Sequence, residues 1–495
     1  MAKFFTKKGG TSISKGIEDA GNETSGEETP LVDRTEHLIE TVEDELGELT
    51  NAEDLAVAST EGFGGLVSMY AVGKASLKNG GLNRNGIMLL DIGCREIVKK
   101  FSYETNSKIY SSLEAFGGAS SRERATVISL EGVGSTISNW FKNIIEFLMS
   151  LGDKIKGVMV KLFNSAGRMK KLVASTKAKA EGLSGSPNPK EYEDAGVAAA
   201  LHIAGTVPVT GNLLTSVTAM AELVKSINTG FTKNVNSDSI SKITDFVGNF
   251  TDKAKIREAV NQFLAMQTNF EIPNLSNDTK AASRKVSDTD KYDITCTAEM
   301  LGGKTIWSVK PKPTLLSSLE AYGLEEDPNN ADNNAADATQ DNKKKEEQET
   351  DGAVTETKDY SGVKEALKAQ INITDFDPEF DKTKVKTKIS CFEKPDIIKC
   401  MDAIESSFDT ISALNNAIVK SEEKRRALSA AAKKASSTNI NDEDVNVKAN
   451  ASLAVDLLKA AAVSLDSFPA QAIGYIMTTT KNLVSHAEKS MSQYK

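Results

Sequence analysis

The sequence predicts a mainly α-helical protein with a helical leader, a long amphipathic helix, helical bundles and a small α+β subdomain that contains a β-hairpin. Three observations predict this fold class. Apolar residues recur at helical spacing through most of the chain. Aromatic residues make up only 6% of it, which favours thin helical cores. β-rich segments are short and lie near residues 300 and 390.

Residues 1–131 are predicted to form an acidic helical leader. Fifteen acidic residues and one basic residue, Arg34, lie between positions 18 and 61, a block typical of solvated interaction segments. Apolar residues at helical spacing predict an amphipathic helix over residues 31–58. Over residues 62–134 glycine pairs interrupt the apolar runs, so we expect short helices joined by turns.

The clearest helical pattern lies in residues 132–190. The apolar stripe consists of Ile137, Phe141, Ile144, Leu148, Leu151, Ile155, Val158 and Leu162. On the polar side, residues 142–179 carry nine Lys or Arg and two acids, the reverse of the leader. The pattern predicts one long basic amphipathic helix from Ser135, or two helices hinged at Gly152 or Gly157. This helix could pair with the acidic leader.

Residues 191–275 and 394–495 are predicted to be a helical domain and a C-terminal helical bundle. In the first, helices are expected over residues 191–206, 213–225, 240–250 and 253–268. In the second, an apolar stripe over residues 397–418 continues into the charged segment 422–434. Two last helices, 450–466 and 471–489, should be split at Pro469, because proline lacks the amide hydrogen that a helix interior needs.

A small α+β subdomain is predicted from two segments, 276–323 and 361–393. Strands are expected at residues 292–297, 305–310 and 385–392, the first two forming a hairpin. Residues 324–360 separate the two segments and are rich in acidic residues and Asn. They are expected to be a disordered acidic linker.

Lys304 lies in a segment, residues 298–305, that fits a relaxed phosphate-loop pattern. A phosphate loop must open a helix whose N-terminal amides face the phosphates. The residues that follow are β-like and lead to Pro311 and Pro313, so a hairpin turn is the better interpretation. An ATP-binding enzyme that uses Lys304 is kept only as a third hypothesis.

Other signals for catalysis or metal binding are poor. The three histidines, His37, His202 and His486, are isolated, and no nucleophile or metal-binding motif accompanies them. The four cysteines lie far apart without a CxxC pair, which indicates a reducing compartment and neither a zinc site nor a disulfide framework. The acidic run 375–381 lacks the glycine and spacing of a calcium loop. We therefore expect no catalytic residue, no cofactor and no metal.

The apolar segments predict a protein that is soluble when made. The N-terminal residues lack the apolar region of a signal peptide. The stretch that we take as most apolar, residues 195–209, is shorter than the roughly 20 residues that a membrane-spanning helix needs.

The most specific signal is the tripeptide Ser-Leu-Glu. Its three copies are Ser112-Leu113-Glu114, Ser129-Leu130-Glu131 and Ser318-Leu319-Glu320. The copies at residues 112–114 and 318–320 lie next to predicted loops, where an extended chain can enter a protease groove as an added strand whose side chains are read in pockets. Alternatively, Ser caps a helix and Glu lies in its first turn, where the helix dipole favours it. The looser form at Ser59-Thr60-Glu61 is common by chance.

The residues around these triplets carry a resemblance to a known family. The runs 58–63, 111–118 and 124–133, and the basic helix that begins at Ser138-Asn139-Trp140-Phe141-Lys142, resemble internal head proteins of large tailed bacteriophages, of the phiKZ-like type. The resemblance covers a quarter to a third of the chain. It implies a non-enzymatic virion structural protein of the prohead core, whose leader is a propeptide cut after a small-x-Glu triplet by the prohead protease.

The same resemblance implies where the chain is cut. Glu131 is the principal cleavage position, with Ser129 and Leu130 as recognition residues, because it lies where the acidic leader ends and the basic helix is about to begin. Glu114, Glu61 and Glu320 are secondary positions, and Ser112, Leu113, Ser318 and Leu319 are the further recognition residues. Residues 1–131 hold 14 basic and 21 acidic residues, so their removal would change the net charge from −9 to −2.

The resemblance also implies partners and a location. The expected partners are the prohead protease, other head or core proteins, and packaged DNA, which the basic segment 132–320 would contact. The expected location is the host cytoplasm during assembly and then the interior of the virion head. Ordinary solvated helix faces would give the same asymmetry of charge.

A membrane-active or injected effector is the alternative function. The basic amphipathic helix could lie on a membrane, with Trp140, Phe141, Phe147 and Phe163 as apolar anchors over the segment 137–162. Core packing in a helical bundle needs the same residues and is favoured.

Overall fold

The computed structural model describes residues 31–100, 121–252, 255–280, 290–312, 360–440 and 444–494. These residues form a mainly helical fold with small antiparallel sheets, which confirms the predicted fold class. The helices are α1 Leu31–Ser76, α2 Arg84–Lys100, α3 Arg122–Glu181, α4 Ala195–Leu201, α5 Thr210–Asn236, α6 Ser239–Val247, α7 Lys255–Thr268, α8 Ser361–Ala366, α9 Lys394–Ala413, α10 Asn415–Ser437 and α11 Val445–Met491. Short 3₁₀ turns lie at Leu77–Asn79 and Lys382–Lys384.

Helix α3 is one unbroken helix of 60 residues, about 90 Å long at 1.5 Å per residue. It begins at Arg122 and not at Ser135, because Ser121 caps it: the Ser121 hydroxyl accepts a hydrogen bond from the Arg124 amide at 3.2 Å. The predicted apolar stripe is buried along its length. The continuous helix is the first of the two predicted alternatives, and α3 crosses the predicted domain boundary at residue 131.

Helix α1 is longer than predicted, with 46 residues, and includes the glycines that were expected to break it. Gly62 and Gly64 lie among the buried side chains of Phe63, Leu66 and Tyr70. Burial of such an apolar stripe outweighs the cost of about 1 kcal/mol that each glycine adds to a helix interior. The prediction of short helices joined by turns after residue 62 is therefore wrong for this part of the chain.

Helix α11 is a single helix of 47 residues that contains Pro469. The predicted split at this proline is wrong. Pro469 and its neighbours Phe468 and Ala470 are buried, so tertiary packing on both sides holds the helix together although one amide hydrogen is missing. Nearby, Ser421 of α10 donates a hydrogen bond to the buried Asp466 carboxylate of α11 at 2.5 Å.

Helices α1, α3 and α11 form the centre of the fold. Helix α1 runs antiparallel to α11: Leu46 lies against Gly474, Glu53 contacts Ser467, and Tyr70 lies beside Lys448. It also runs antiparallel to α3, since Phe63 packs on Phe141 while Leu130 packs against Gly73. One continuous hydrophobic core includes all three helices together with α5, α6, α7 and α9.

The strands form two antiparallel sheets. They are β1 Glu191–Glu193, β2 Ser276–Asn277, β3 Tyr292–Cys296, β4 Lys304–Pro311, β5 Gln370–Asp375 and β6 Lys388–Ser390. One sheet has the order β2-β3-β4-β5, and β1 pairs with β6 in the other. The predicted hairpin is confirmed as β3 and β4, but the strand beside it is β5, with Ile306 opposite Ile373. The predicted third strand, 385–392, contains β6, which instead pairs with β1.

The remaining helix predictions differ in detail. Residues 191–206 form β1 and the short α4 in place of one helix, because Asp194 caps a new helix: its carboxylate accepts a hydrogen bond from the Val197 amide at 2.8 Å. Helices α5, α6 and α7 are present near their predicted positions. The stripe at 397–418 is divided between α9 and α10 at Leu414. Residues 324–359 of the predicted linker lie outside the described residues, which resume at Tyr360.

Candidate functional site

The candidate processing segment, Ser129–Glu131, lies inside α3 and not beside a loop. The Ser129 hydroxyl donates a hydrogen bond to the Ala125 carbonyl oxygen at 2.9 Å, one helical turn back. Ser129 and Leu130 are 3% and 2% exposed, whereas Glu131 is exposed. This copy of the tripeptide is therefore helical in the folded chain. The two copies expected beside loops, residues 112–114 and 318–320, lie outside the described residues. The alternative of a Ser129 helix cap is wrong, because Ser121 is the cap.

Helix α1 covers the buried side of this segment. The Leu130 side chain packs on Gly73, where a Cβ atom would lie 2.6 Å from Leu130 Cδ2. A cleft of about 290 Å³ adjoins the exposed side. Its lining residues are Tyr70, Lys74, Val127, Leu130, Glu131, Gly134 and Ser135. One side of the tripeptide therefore packs on the leader helix α1, and its other side faces a cleft that α1 and α3 line together.

The first turns of α3 are tied to the chain that follows α1. Gly81 has a φ of +85°, and a Cβ atom there would lie 2.8 Å from the Arg122 carbonyl oxygen, so this turn requires glycine. The Leu82 amide donates a hydrogen bond to the Thr126 hydroxyl at 2.8 Å. Residues 122–131 thus belong structurally with α1 and α2, although they form one helix with the residues that follow.

The other predicted cleavage positions divide into two groups. Glu61 is exposed on α1, with the neighbouring Thr60 only 2% exposed and Ser59 half-buried. It is helical, like Glu131. Two triplets lie outside the described residues: Ser112, Leu113 and Glu114, and Ser318, Leu319 and Glu320.

The basic side of α3 is paired chiefly with carboxylates of the C-terminal helices. The ion pairs are Lys156–Glu422 at 3.0 Å, Lys177–Asp402 at 2.5 Å, Lys179–Glu488 at 3.0 Å, Lys170–Asp409 and Lys161–Glu45. Four of these five carboxylates belong to α9, α10 or α11, and only Glu45 belongs to the leader. The hydrogen bond from Lys170 to Asp409 raises the pKa of this lysine. The predicted pairing of leader and basic helix is therefore represented by one ion pair within this group.

Apolar packing accounts for most of the contact between the leader and α3. Phe141 is fully buried, stacks on Phe63 of α1 with ring centroids 5.9 Å apart, and meets Phe250 edge-on at 5.6 Å. Trp140 is 2% exposed, while Phe147 and Phe163 are half-buried. The four candidate membrane anchors thus lie in or against the core, which agrees with the bundle interpretation.

A second stretch matches the size of a membrane-spanning helix. Among the described residues, Asp44–Asn79 is long and apolar enough by length and composition, and 44% of its most apolar window is buried inside the structure. A core helix passes the same test. This stretch is not the one predicted to be the most apolar, residues 195–209.

Buried polar groups join α1 to α11. Ser467 donates a hydrogen bond to Glu53 Oε1 at 2.5 Å, and burial raises the pKa of Glu53 to about 7, although this hydrogen bond acts in the opposite direction. Thr60 is 2% exposed, and its hydroxyl donates a hydrogen bond to the Val57 carbonyl oxygen at 3.0 Å. Burial raises the pKa of the Asp456 carboxyl of α11 too. The Lys448 ammonium lies 4.6 Å from the centre of the Tyr70 ring.

Lys364 of α8 completes this row of polar contacts. Its ammonium donates a hydrogen bond to Ser452 at 2.6 Å and lies 3.5 Å from the Asp456 carboxylate. A Cβ atom at Gly64 of α1 would lie 2.9 Å from the Lys364 Nζ, so glycine leaves space for this ammonium. The leader helix therefore approaches both α8 and α11 closely.

Sequence reasoning missed these contacts, although a signal was present. Leu49, Glu53, Ala56, Thr60 and Phe63 follow one another at helical spacing, so Glu53 and Thr60 occupy positions within an apolar stripe. A charged residue at such a position is expected to find a buried partner. The partner of Glu53, Ser467, lies 414 positions along the chain and could not be identified from spacing.

Lys304 confirms the hairpin interpretation. It begins strand β4 and pairs with Asp375 at 2.9 Å. The turn before it contains Gly302 and Gly303, which have φ values of +74° and +68°. A phosphate loop needs a helix at this position, and a strand stands there instead.

Other ionisable residues of the described part of the chain take part in packing. His202 is buried, and burial lowers the pKa of His486 to about 4, with the Tyr192 hydroxyl 2.6 Å from its ring nitrogen. His37 lies in α1. The four cysteines are buried and form no disulfide, and burial raises the pKa of Cys400 to about 12. Within the described ranges, no group of three His, Cys, Asp or Glu side chains is arranged to hold a metal ion.

Comparison with known proteins gives one match. No curated protein and no solved structure shows significant similarity to the chain. A family model, that of phiKZ-like phage internal head proteins, matches residues 17–489. The match extends from the acidic leader to the end of α11 and so includes the three central helices. The chain therefore belongs to the phiKZ-like phage internal head proteins, a family of structural proteins that lie inside the phage head.

Proposed function

We propose that the chain is made as a precursor in the host cytoplasm, is packaged in the prohead and is matured there by cleavage after Glu131. The observation that carries this proposal is the division of contacts along α3. Residues 122–131 are tied to Gly81, Leu82 and Gly73 of the leader. The lysines further along α3 pair mainly with α9, α10 and α11. A cut after Glu131 falls between these two sets of contacts, and it leaves Phe141 and Lys161, which also contact α1, on the C-terminal fragment.

The residues after Glu131 favour local opening. Gly132 follows the scissile bond directly, and Gly134 lies two residues further on. Each glycine weakens a helix interior by about 1 kcal/mol relative to alanine. A protease reads an extended substrate, so residues near Ser129 must leave the helix before they are cut. We expect cleavage to be slow in the folded chain and faster wherever the start of α3 is loosened.

Secondary cuts would have different consequences. Cleavage after Glu320 falls between β4 and β5, which pair over six residue positions, so both parts would stay in one sheet. Cleavage after Glu114 would separate α2 from α3 within the leader. We propose Glu131 as the cut that defines the mature protein, and Glu114, Glu61 and Glu320 as additional cuts.

We further propose that the mature protein is a structural component and not an enzyme, with other head or core proteins as partners. Loss of residues 1–131 removes a net charge of −7, which leaves about −2 and weakens repulsion from packaged DNA. Four of the five α3 lysines in the ion pairs described above have their carboxylate partners in the C-terminal helices. We therefore expect contact with DNA to be weak and sensitive to salt.

The proposal is tested by co-expressing the full chain with the prohead protease and measuring intact masses. A product whose N-terminus is Gly132 is expected. Glu131→Gln should abolish this product, whereas Glu123→Gln, which changes an exposed carboxylate two turns earlier in α3, should leave it unchanged. An N-terminus that remains at Met1 in protein from mature particles would refute the processing proposal.

A further inference from the structure

The leader helix fills a groove between α3 and α11. Its buried apolar residues are Leu49, Ala56, Phe63, Leu66, Val67 and Tyr70, each at most 5% exposed. These residues extend over about six helical turns of α1 and reach the core that the rest of the chain forms. Because this contact is long, α1 resembles an amphipathic helix bound in a hydrophobic groove more than a loosely attached terminal segment.

Polar contacts fix the register of α1 in this groove. From one end of the contact to the other, Glu45 pairs with Lys161, Glu53 with Ser467, and Tyr70 with Lys448. Two close approaches add to them, Leu46 against Gly474 and Gly64 against Lys364. None of these contacts depends on the peptide bond after Glu131.

We propose that the groove between α3 and α11 keeps α1 as a non-covalently bound partner after the chain has been cut, so that one cleavage does not remove the leader. The inference rests on the proposed processing at Glu131. Hydrolysis adds one water molecule across the peptide bond, leaving a carboxylate on Glu131 and an amine on Gly132. It breaks no contact between α1 and the groove.

Release of the leader then requires a further event. Glu61 is exposed and lies midway along the contact, between Ala56 and Phe63. Hydrolysis of the Glu61–Gly62 bond would leave a carboxylate and an amine there and divide the anchors between two shorter helices. Short helices are marginal in isolation, and each would hold only part of the contact. The position of Glu61 therefore suits a second, releasing cut.

The test uses the full chain with a recognition sequence for a site-specific protease inserted between Gly117 and Gly118, outside the described residues. After cutting, gel filtration and native mass spectrometry should show both fragments in one 1:1 complex. Elution of the N-terminal fragment alone would overturn the proposal. Because the chain is cut at the inserted site by a different protease, this result does not depend on whether the prohead protease cuts after Glu131.

Two variants on α1 provide a matched pair. Phe63→Ala removes a fully buried ring and should weaken binding of the cut fragment roughly a hundredfold or more, so that it separates from the complex. Leu55→Ala changes a side chain that is 48% exposed on the same helix and should co-elute like the parent. If Phe63→Ala fails to fold before cutting, Leu66→Ala replaces it. Equal retention of both variants would show that α1 is not held by this groove.

Discussion

Helices α1 and α3 contribute to the same core but place their charges differently. On α3 the lysines lie at the surface, and Lys170, Lys177 and Lys179 pair with partly exposed carboxylates. On α1 the carboxyl of Glu53 is turned toward α11. Surface ion pairs contribute little to stability, whereas a buried polar group is costly unless its partner is present. Binding of the leader helix therefore depends on partners for its polar groups in α11, whereas the surface ion pairs of α3 contribute little to stability.

The largest expected effect comes from the apolar contact that the two helices share. Phe141→Ala removes a fully buried ring that packs on Phe63 and Phe250, so the free energy of unfolding should fall by about 3–5 kcal/mol. Urea denaturation followed by circular dichroism measures it. Val419→Ala, at a side chain that is 54% exposed, should change the value by less than about 0.5 kcal/mol. A loss below about 1 kcal/mol for Phe141→Ala would mean that the shared core is not formed as described.

The half-buried Glu53, whose carboxylate accepts a hydrogen bond from Ser467, should make stability depend on pH. Its pKa is about 7 in the folded chain against 4.5 for the free group, so the folded state holds the proton more tightly between these values. This contribution is fully present below pH 4.5 and is lost as the pH rises to 7. The stability of the parent minus that of Glu53→Gln should fall by roughly 3 kcal/mol over this interval.

Urea denaturation of both proteins at several pH values measures this difference. His486, whose pKa is lowered to about 4, acts in the opposite sense, but it is present in both proteins and cancels. A difference that does not vary with pH would show that Glu53 ionises normally and faces solvent.

Replacing one glycine by alanine in each helix should have a smaller effect on stability, and the effect should differ between α1 and α3. At Gly152 of α3, no neighbouring atom lies within 4 Å of the position that an alanine methyl group would occupy, so Gly152→Ala should stabilise the protein by about 1 kcal/mol. Gly64→Ala would place its methyl group against the Lys364 ammonium, which must then leave Ser452 and Asp456. The gain in helix propensity should therefore be absent for Gly64→Ala. Thermal denaturation of the two variants side by side tests this, and equal gains would mean that Lys364 is free to move.

The smallest effect is expected on the polar side of α3. Lys179 is more than half exposed and pairs with Glu488 at 3.0 Å, so its replacement by Ala should leave the denaturation midpoint unchanged within error. The measurement is made at low and at physiological salt, because salt screens such pairs. A clear loss of stability at both salt concentrations would show that the ion pairs on α3 contribute as much to stability as the polar contacts of α1.

The sequence predicts α3 well and its beginning poorly, for one physical reason. Leu130, Val133 and Ile137 continue the apolar stripe toward the N-terminus at spacings of three and four, but Gly132 and Gly134 argue for a break there. The break expected at Pro469 rests on a rule that holds for exposed helices and fails where both flanks are buried. In each case tertiary packing outweighs a local preference that sequence alone can see.

The sheet and the site show the same limit. Ile371 and Ile373 alternate with polar residues, a signal for β5 that was present and overlooked. For Ser129–Glu131 the spacing identifies the tripeptide, but whether it is helical or extended depends on its contact with Gly73, more than 50 residues away. The contact between Glu53 and Ser467 spans 414 positions and has no trace in local spacing.

The pairing of β4 with β5 has a practical consequence for experiments on this protein. Strand β4 ends at Pro311, and β5 begins at Gln370, which lies opposite Val309. The chain between them therefore leaves and rejoins the sheet at the same end of two neighbouring strands, and lengthening such a connection costs little additional closure entropy. A fluorescent protein or an affinity tag inserted between residues 313 and 359, before α8, should be accommodated without altering either strand, which gives a place to label the protein inside assembled phage heads.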